Sequence, residues 1–142
     1  MRRIAETAGI LSLGVVMAAA VHVQAGEVSR PTVAELNVGR FFEAVRADDA
    51  KAYRALAPKM VLMVTPDFGM PIGLAEARAT FVNCQPQEIA RPTKVTEVHG
   101  AVLVAVSLSC SDAPDGPVKV DFLVRRGRLL AAYLGGVLPG RS

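Results

Sequence analysis

The hydrophobic positions of this chain change their spacing twice. From Ala8 to Val21 the segment AGILSLGVVMAAAV is apolar without a charge; from Val38 to Val45, apolar residues (Val38, Phe41, Phe42, Val45) return every three or four positions. The second pattern lays one apolar stripe along a helix. Thr32-Val-Ala-Glu35 ahead of it has the form of a capping box, so the helix is expected to start there and to end near Asp48. Asp49 can cap a shorter helix through Ala50, Tyr53 and Leu56, which Pro58 stops, and the two helices are expected to pack as an angled pair. The run from Met60 to Thr65 has strand length, and Pro66 to Pro71 reads as a turn-rich loop. Leu74, Ala77 and Phe81 mark a third helix from about Gly73 to Asn83.

Beyond that point the spacing becomes alternating. Residues 94–98 form a short candidate strand, and Ala101 to Cys110 a long one with Val102, Val104, Val106 and Leu108 on one face. Asp112 to Gly116 makes a turn. Val118, Val120, Phe122 and Val124 form the next apolar face, Arg126-Gly127 a tight hairpin turn, and Leu129 to Leu134 the last strand. The tail from Gly135 has no periodicity, and no internal repeat or linker divides the chain.

The first apolar segment reads differently. Arg2 and Arg3 precede it and Val23-Gln24-Ala25 follows, the basic, apolar, small-residue order of a secretory signal, with the cut expected before Gly26. Ala8–Val21 is shorter than the roughly 20 residues of a membrane-spanning helix, so an uncleaved anchor is the lesser alternative. The expected organisation is a signal peptide over residues 1–25 and one domain over 26–142, placed in the periplasm or secreted, with no stable membrane insertion after cleavage. Removing the signal takes two arginines and one glutamate from a net charge of +3, leaving +2. No aromatic-interleaved basic stripe accompanies that small excess, so nucleic acid is not an expected partner. Arg125, Arg126 and Arg128 around Gly127 form the one basic cluster; a solvated turn is the ordinary reading and an anion site the alternative.

Cys84 and Cys110 are the only cysteines. In an exported chain they are expected to bond to each other, contributing on the order of 3 kcal/mol by restricting the unfolded state. With His99 as the one histidine after the signal, no zinc set can be assembled and no metal is expected.

Helices gathered ahead of a meander should pack on one face of the sheet, giving an α+β domain with three N-terminal helices on a curved antiparallel sheet. The segments FFEAVRADDAKAYRALAP, MVLMVTPD, IGLAEARATF and VKVDFLVRRGRLLAAYLGG resemble the nuclear transport factor 2-like superfamily, which includes SnoaL-like polyketide cyclases and ketosteroid isomerases. The resemblance covers about residues 32–136. It implies a cone that binds a small apolar ligand, a common homodimer through the open sheet face, and no cofactor.

Resemblance to the isomerases also implies roles for particular positions. Asp121, six residues before Gly127, stands where an oxyanion-holding Asp would be. Phe41 stands where a Tyr would donate a hydrogen bond, and the base position falls near Thr65, with Asp67 two residues on. Asp121 and Asp67 are therefore the catalytic candidates, and Phe41, Tyr53, Met63, Leu123 and Tyr133 the candidate ligand-lining residues. Each has a plain alternative: Asp121 as a surface strand residue beside Lys119 or Arg125, Asp67 as a turn former, His99 as exposed at a turn, the tyrosines and methionines as core filling. No G-x-S-x-G elbow or phosphate-binding glycine loop occurs.

Three readings stay open: a non-enzymatic exported domain binding a small apolar molecule, a cofactor-independent acid/base isomerase, cyclase or dehydratase using Asp121, and a homodimeric interaction module.

Overall fold

The structure, a computed structural model, describes residues 30–113, 115–136 and 138 of the chain. The expected signal peptide and its cut before Gly26 lie outside the described residues. Among those residues, no helix is long and apolar enough to cross a membrane.

The first helix, α1 (Val33–Ala47), begins at the expected capping box. The Glu35 backbone N–H donates to Thr32 Oγ1 (3.3 Å), and the Thr32 N–H donates to the Glu35 carboxylate (2.6 Å). Its stripe of Val38, Phe41, Phe42 and Val45 is buried. Asp48 closes it in the left-handed conformation, and Asp49, accepting from the Ala52 N–H (3.0 Å), starts α2 (Ala50–Leu56). The third helix, α3 (Leu74–Phe81), is tied to the end of α1 by Arg78, which donates to the carbonyls of Val45 (2.6 Å) and Arg46 (3.2 Å). The Val45 carbonyl also accepts from the Asp48 backbone N–H (3.3 Å), so the guanidinium adds to the cap of the helix end.

Seven strands form one open sheet in the order β2-β1-β7-β6-β5-β3, with β4 also paired to β5. They are β1 (Val61–Val64), β2 (Gly69–Ile72), β3 (Cys84–Ile89), β4 (Thr93–Lys94), β5 (Ala101–Cys110), β6 (Val118–Arg125) and β7 (Arg128–Leu134). The three helices and this sheet give the expected α+β class, with four departures from the sequence reading. The sheet is mixed rather than purely antiparallel, because β1 runs parallel to β7; no hairpin joins these two, so no turn imposes antiparallel order. The expected loop at 66–71 folds back instead, pairing Gly69 with Val64 and Ile72 with Val61. Thr65 makes the reversal tight, its hydroxyl accepting from the N–H groups of Asp67 (3.3 Å) and Phe68 (3.2 Å). The third departure is β3, whose Pro86 and glutamines hide any alternation; Pro86 is tolerated because β3 is an edge strand. The candidate strand at 94–98 is reduced to Thr93–Lys94.

The helix-facing side of the sheet carries the main core. Val104, Val106, Leu108, Val120, Phe122, Val124 and Ala132 are buried there with Phe41, Phe42, Tyr53 and Phe81. A smaller cluster of Val95, Ala101, Leu123 and Ala131 lies apart from it, packed by Val98, Leu103, Leu130 and Tyr133. Cys84 and Cys110 face each other across β3 and β5 and are disulfide-bonded, with Cα atoms 4.0 Å apart. Asp112 lies beside the two sulfurs, but sulfurs bonded to each other are not thiolate ligands for a metal.

Candidate functional site

Alternation along β6 decides which residues can meet a ligand. Val120, Phe122 and Val124 point to the helices, so Lys119, Asp121 and Leu123 point to the opposite, open face. The register extends this face sideways. Asp121 lies between Ala105 of β5 and Tyr133 of β7, while Lys119 pairs with Ser107, which in turn pairs with Glu88 of β3. The Ala90 backbone N–H donates to the Ala105 carbonyl (2.9 Å), bringing Ala90 alongside the same row.

These residues line a half-open groove of about 300 Å³: Glu88, Ala90, Ala105, Ser107, Lys119 and Asp121, together with Val106. A register shift between Pro86 and Glu88 marks a bulge in β3 beside it, a device that re-aims side chains at a sheet edge. Two carboxylates, one ammonium and one hydroxyl therefore surround a floor of small apolar side chains. Burial holds the Asp121 carboxyl above the ordinary carboxylate range, against the opposing pull of Lys119. Burial likewise raises the Tyr133 hydroxyl.

The helix-facing side is closed. Phe41 is 0% exposed and its ring centroid stands 5.3–6.0 Å from those of Phe42, Tyr53, Phe81 and Phe122. Tyr53 donates its hydroxyl to the Ile72 carbonyl (2.9 Å), and burial pushes its pKa up to about 12, with Glu76 adding to the shift. That hydroxyl is spent on the backbone rather than presented to a ligand.

The candidate residues thus separate into groups. Phe41, Tyr53 and Met63 are on the helix side. Leu123 and Tyr133 are on the open face with Asp121. Asp67 is exposed in the β1–β2 turn and is not among the groove residues. His99 is exposed at its turn. Glu88, Ser107 and Lys119 were absent from the sequence-based set. Ser107 and Lys119 could have been found from the alternation that places Asp121, whereas Glu88 depends on a strand with no periodic signal.

No protein-family model matches the chain, and no curated protein does. Several solved structures are similar to it. A nuclear transport factor 2-like protein of unknown function from Cytophaga hutchinsonii is 9% identical, with 75% of this chain and 91% of that one covered and a TM-score of 0.46. A candidate polyketide cyclase from Sinorhizobium meliloti is 16% identical, with 70% and 93% covered and a TM-score of 0.47. A candidate ketosteroid isomerase from Kribbella flavida is 14% identical, with 78% and 83% covered and a TM-score of 0.45. The likeness is to nuclear transport factor 2-like, polyketide cyclase-like and ketosteroid isomerase-like proteins.

Proposed function

We propose that this chain is an exported, non-catalytic binding domain whose recognition site is the open-face groove around Asp121. The observation that carries this reading is the contrast between a helix-side interior filled by aromatic rings and a half-buried carboxylate lining a concave, partly polar surface. The reading moves the ligand from the inside of the cone to the open face of the sheet. The ligand that suits the groove is a small molecule with an apolar body over Ala90 and Ala105 and a cationic or hydrogen-bond-donating group toward Asp121 and Glu88. The disulfide supports export, since such bonds persist in oxidising compartments.

Nuclear magnetic resonance titration of the labelled protein with a library of small amines and amphiphilic alcohols tests this. Hits are expected to shift the amides of Glu88, Ala105, Ser107 and Asp121 while leaving the rings of Phe41 and Phe122 unmoved, and Asp121→Asn should abolish them. Shifts centred on Phe41, Tyr53 and Met63 would return the ligand to the interior and sink the reading.

The raised Asp121 pKa favours acid/base catalysis as a second reading, with the same carboxylate moving a proton on a neutral substrate. Turnover of a ketone lost in Asp121→Asn, at unchanged ligand affinity, would establish it. A homodimer through this face draws on Leu62, 43% exposed in register with Ala131 of the smaller cluster; sedimentation at increasing concentration decides it.

A further inference from the structure

The β6–β7 turn and the segment after α2 border a second concavity that plays no part in the reading above. It encloses about 350 Å³ and is lined by Lys59, Arg125, Arg126 and Arg128, with Pro58, Leu129 and Leu130 as its apolar walls. None of its lining residues is acidic. Among the described residues, none of the four cations has an ion-pair partner. We propose that this cleft binds a phosphate-type anion.

Two features separate the cluster from an ordinary solvated turn. The first is rigidity. The buried Asn37 of α1 donates from Nδ2 to the Gly127 carbonyl (2.6 Å) and is itself held by Arg40, which donates to Asn37 Oδ1 (3.0 Å). Gly127 has φ +76°, and a Cβ there would stand 3.1 Å from Asn37 Nδ2. The turn that carries the arginines is thus pinned to the helix layer, which lowers the ordering cost of binding.

The second feature is backbone conformation. Three non-glycine residues among those described have positive φ: Asp48, Met60 and Arg126. Asp48 is a helix cap, where that conformation is ordinary. Arg126, at φ 52°, stands in the wall of the cleft, and Met60, at φ 66°, follows the lining residue Lys59 in sequence. Asn, Asp or Gly would occupy the first position of this hairpin turn with less strain than Arg. An arginine kept there at a conformational cost, beside three further cations, points to a ligand for its guanidinium. Four neighbouring positive charges repel one another, and a dianionic phosphate with several acceptor oxygens relieves that better than a single carboxylate; the guanidinium fork matches its geometry.

The test is calorimetric titration of the full chain with pyrophosphate, joined to sedimentation with vesicles of phosphatidylglycerol or of neutral phosphatidylcholine. Saturable pyrophosphate binding that weakens with added salt is expected. Arg126→Asn should weaken it about tenfold while raising the thermal midpoint, because Asn fits the left-handed turn and only the ligand needs the arginine. Arg46→Gln, a charge change on α1 outside the cleft, should leave affinity unchanged. Excess binding to phosphatidylglycerol over phosphatidylcholine that pyrophosphate displaces identifies a lipid headgroup as an occupant of the same cleft; pyrophosphate binding without it identifies a free phosphate compound. Absence of pyrophosphate binding, vesicle binding that pyrophosphate does not displace, or equal affinity in wild type and Arg126→Asn overturns the proposal.

Discussion

Phe122 and Leu123 are adjacent in sequence and occupy different worlds. Phe122 enters a box of aromatic rings closed by three helices, with centroids 5.3 Å from Phe41 and 5.6 Å from Phe42. Leu123, on the other side of the same strand, joins a small cluster under the Val95–Val98 segment, beyond which the face opens to Asp121 and Lys119. The difference teaches where binding can occur. The side with the larger apolar area is filled by its own side chains, so the less apolar side is the one left with room for a guest.

The largest expected effect tests the two sides directly. Phe122→Ala should destabilise the fold by about 3–5 kcal/mol in denaturant titration, and Leu123→Ala by about 2, since the smaller cluster can relax toward solvent. Equal losses would mean that the open face is as tightly packed as the core. Reduction of Cys84–Cys110 comes next, at about 3 kcal/mol. Because the bond clamps β3, which supplies Glu88 and leads into Ala90, hydrogen exchange in β3 should accelerate before exchange in α1 does.

Tyr53→Phe should cost about 1 kcal/mol by removing the buried hydrogen bond to Ile72. Its pH signature follows from a folded pKa raised from 10.0 to about 12. The native state holds the phenolic proton longer than the unfolded state, so this contribution is complete below pH 10 and is lost as pH rises toward 12. Tyrosinate absorbance should show both tyrosines ionising late, and Tyr53→Phe should remove the later transition.

The smallest effect belongs to the groove. The folded Asp121 pKa lies above its usual 3.8. Wild type should therefore lose stability relative to Asp121→Asn as pH rises through 3.8 to the raised value. The variant should be more stable at neutral pH by less than about 0.5 kcal/mol, as solvent screens the half-exposed carboxylate. A destabilised Asp121→Asn would show that the carboxylate is structural, which is the outcome least compatible with a binding groove.

The alternation of β5 and β6, the helical stripe of α1, its Thr32–Glu35 cap and the Arg126-Gly127 turn were all set by local chemistry, because each depends on neighbours within a few positions. The same alternation placed Asp121 with Lys119 and Leu123, opposite Val120 and Phe122. Which of those faces the helices would cover is not a local property. Tertiary packing turned Phe122 inward, and it thereby separated Phe41, Tyr53 and Met63 from Leu123, Tyr133 and Asp121. Strand β3 was hidden for the same reason: its Pro86 and glutamines carry no pattern, and its place is fixed by pairing with β5 and by the bond from Cys84 to Cys110. Glu88 reaches the groove only through that long-range pairing, as Lys59 reaches the arginine turn only through the packing of β1 beside β7. Spacing fixes which residues share a face; the layers that stack on the sheet decide what each face is for.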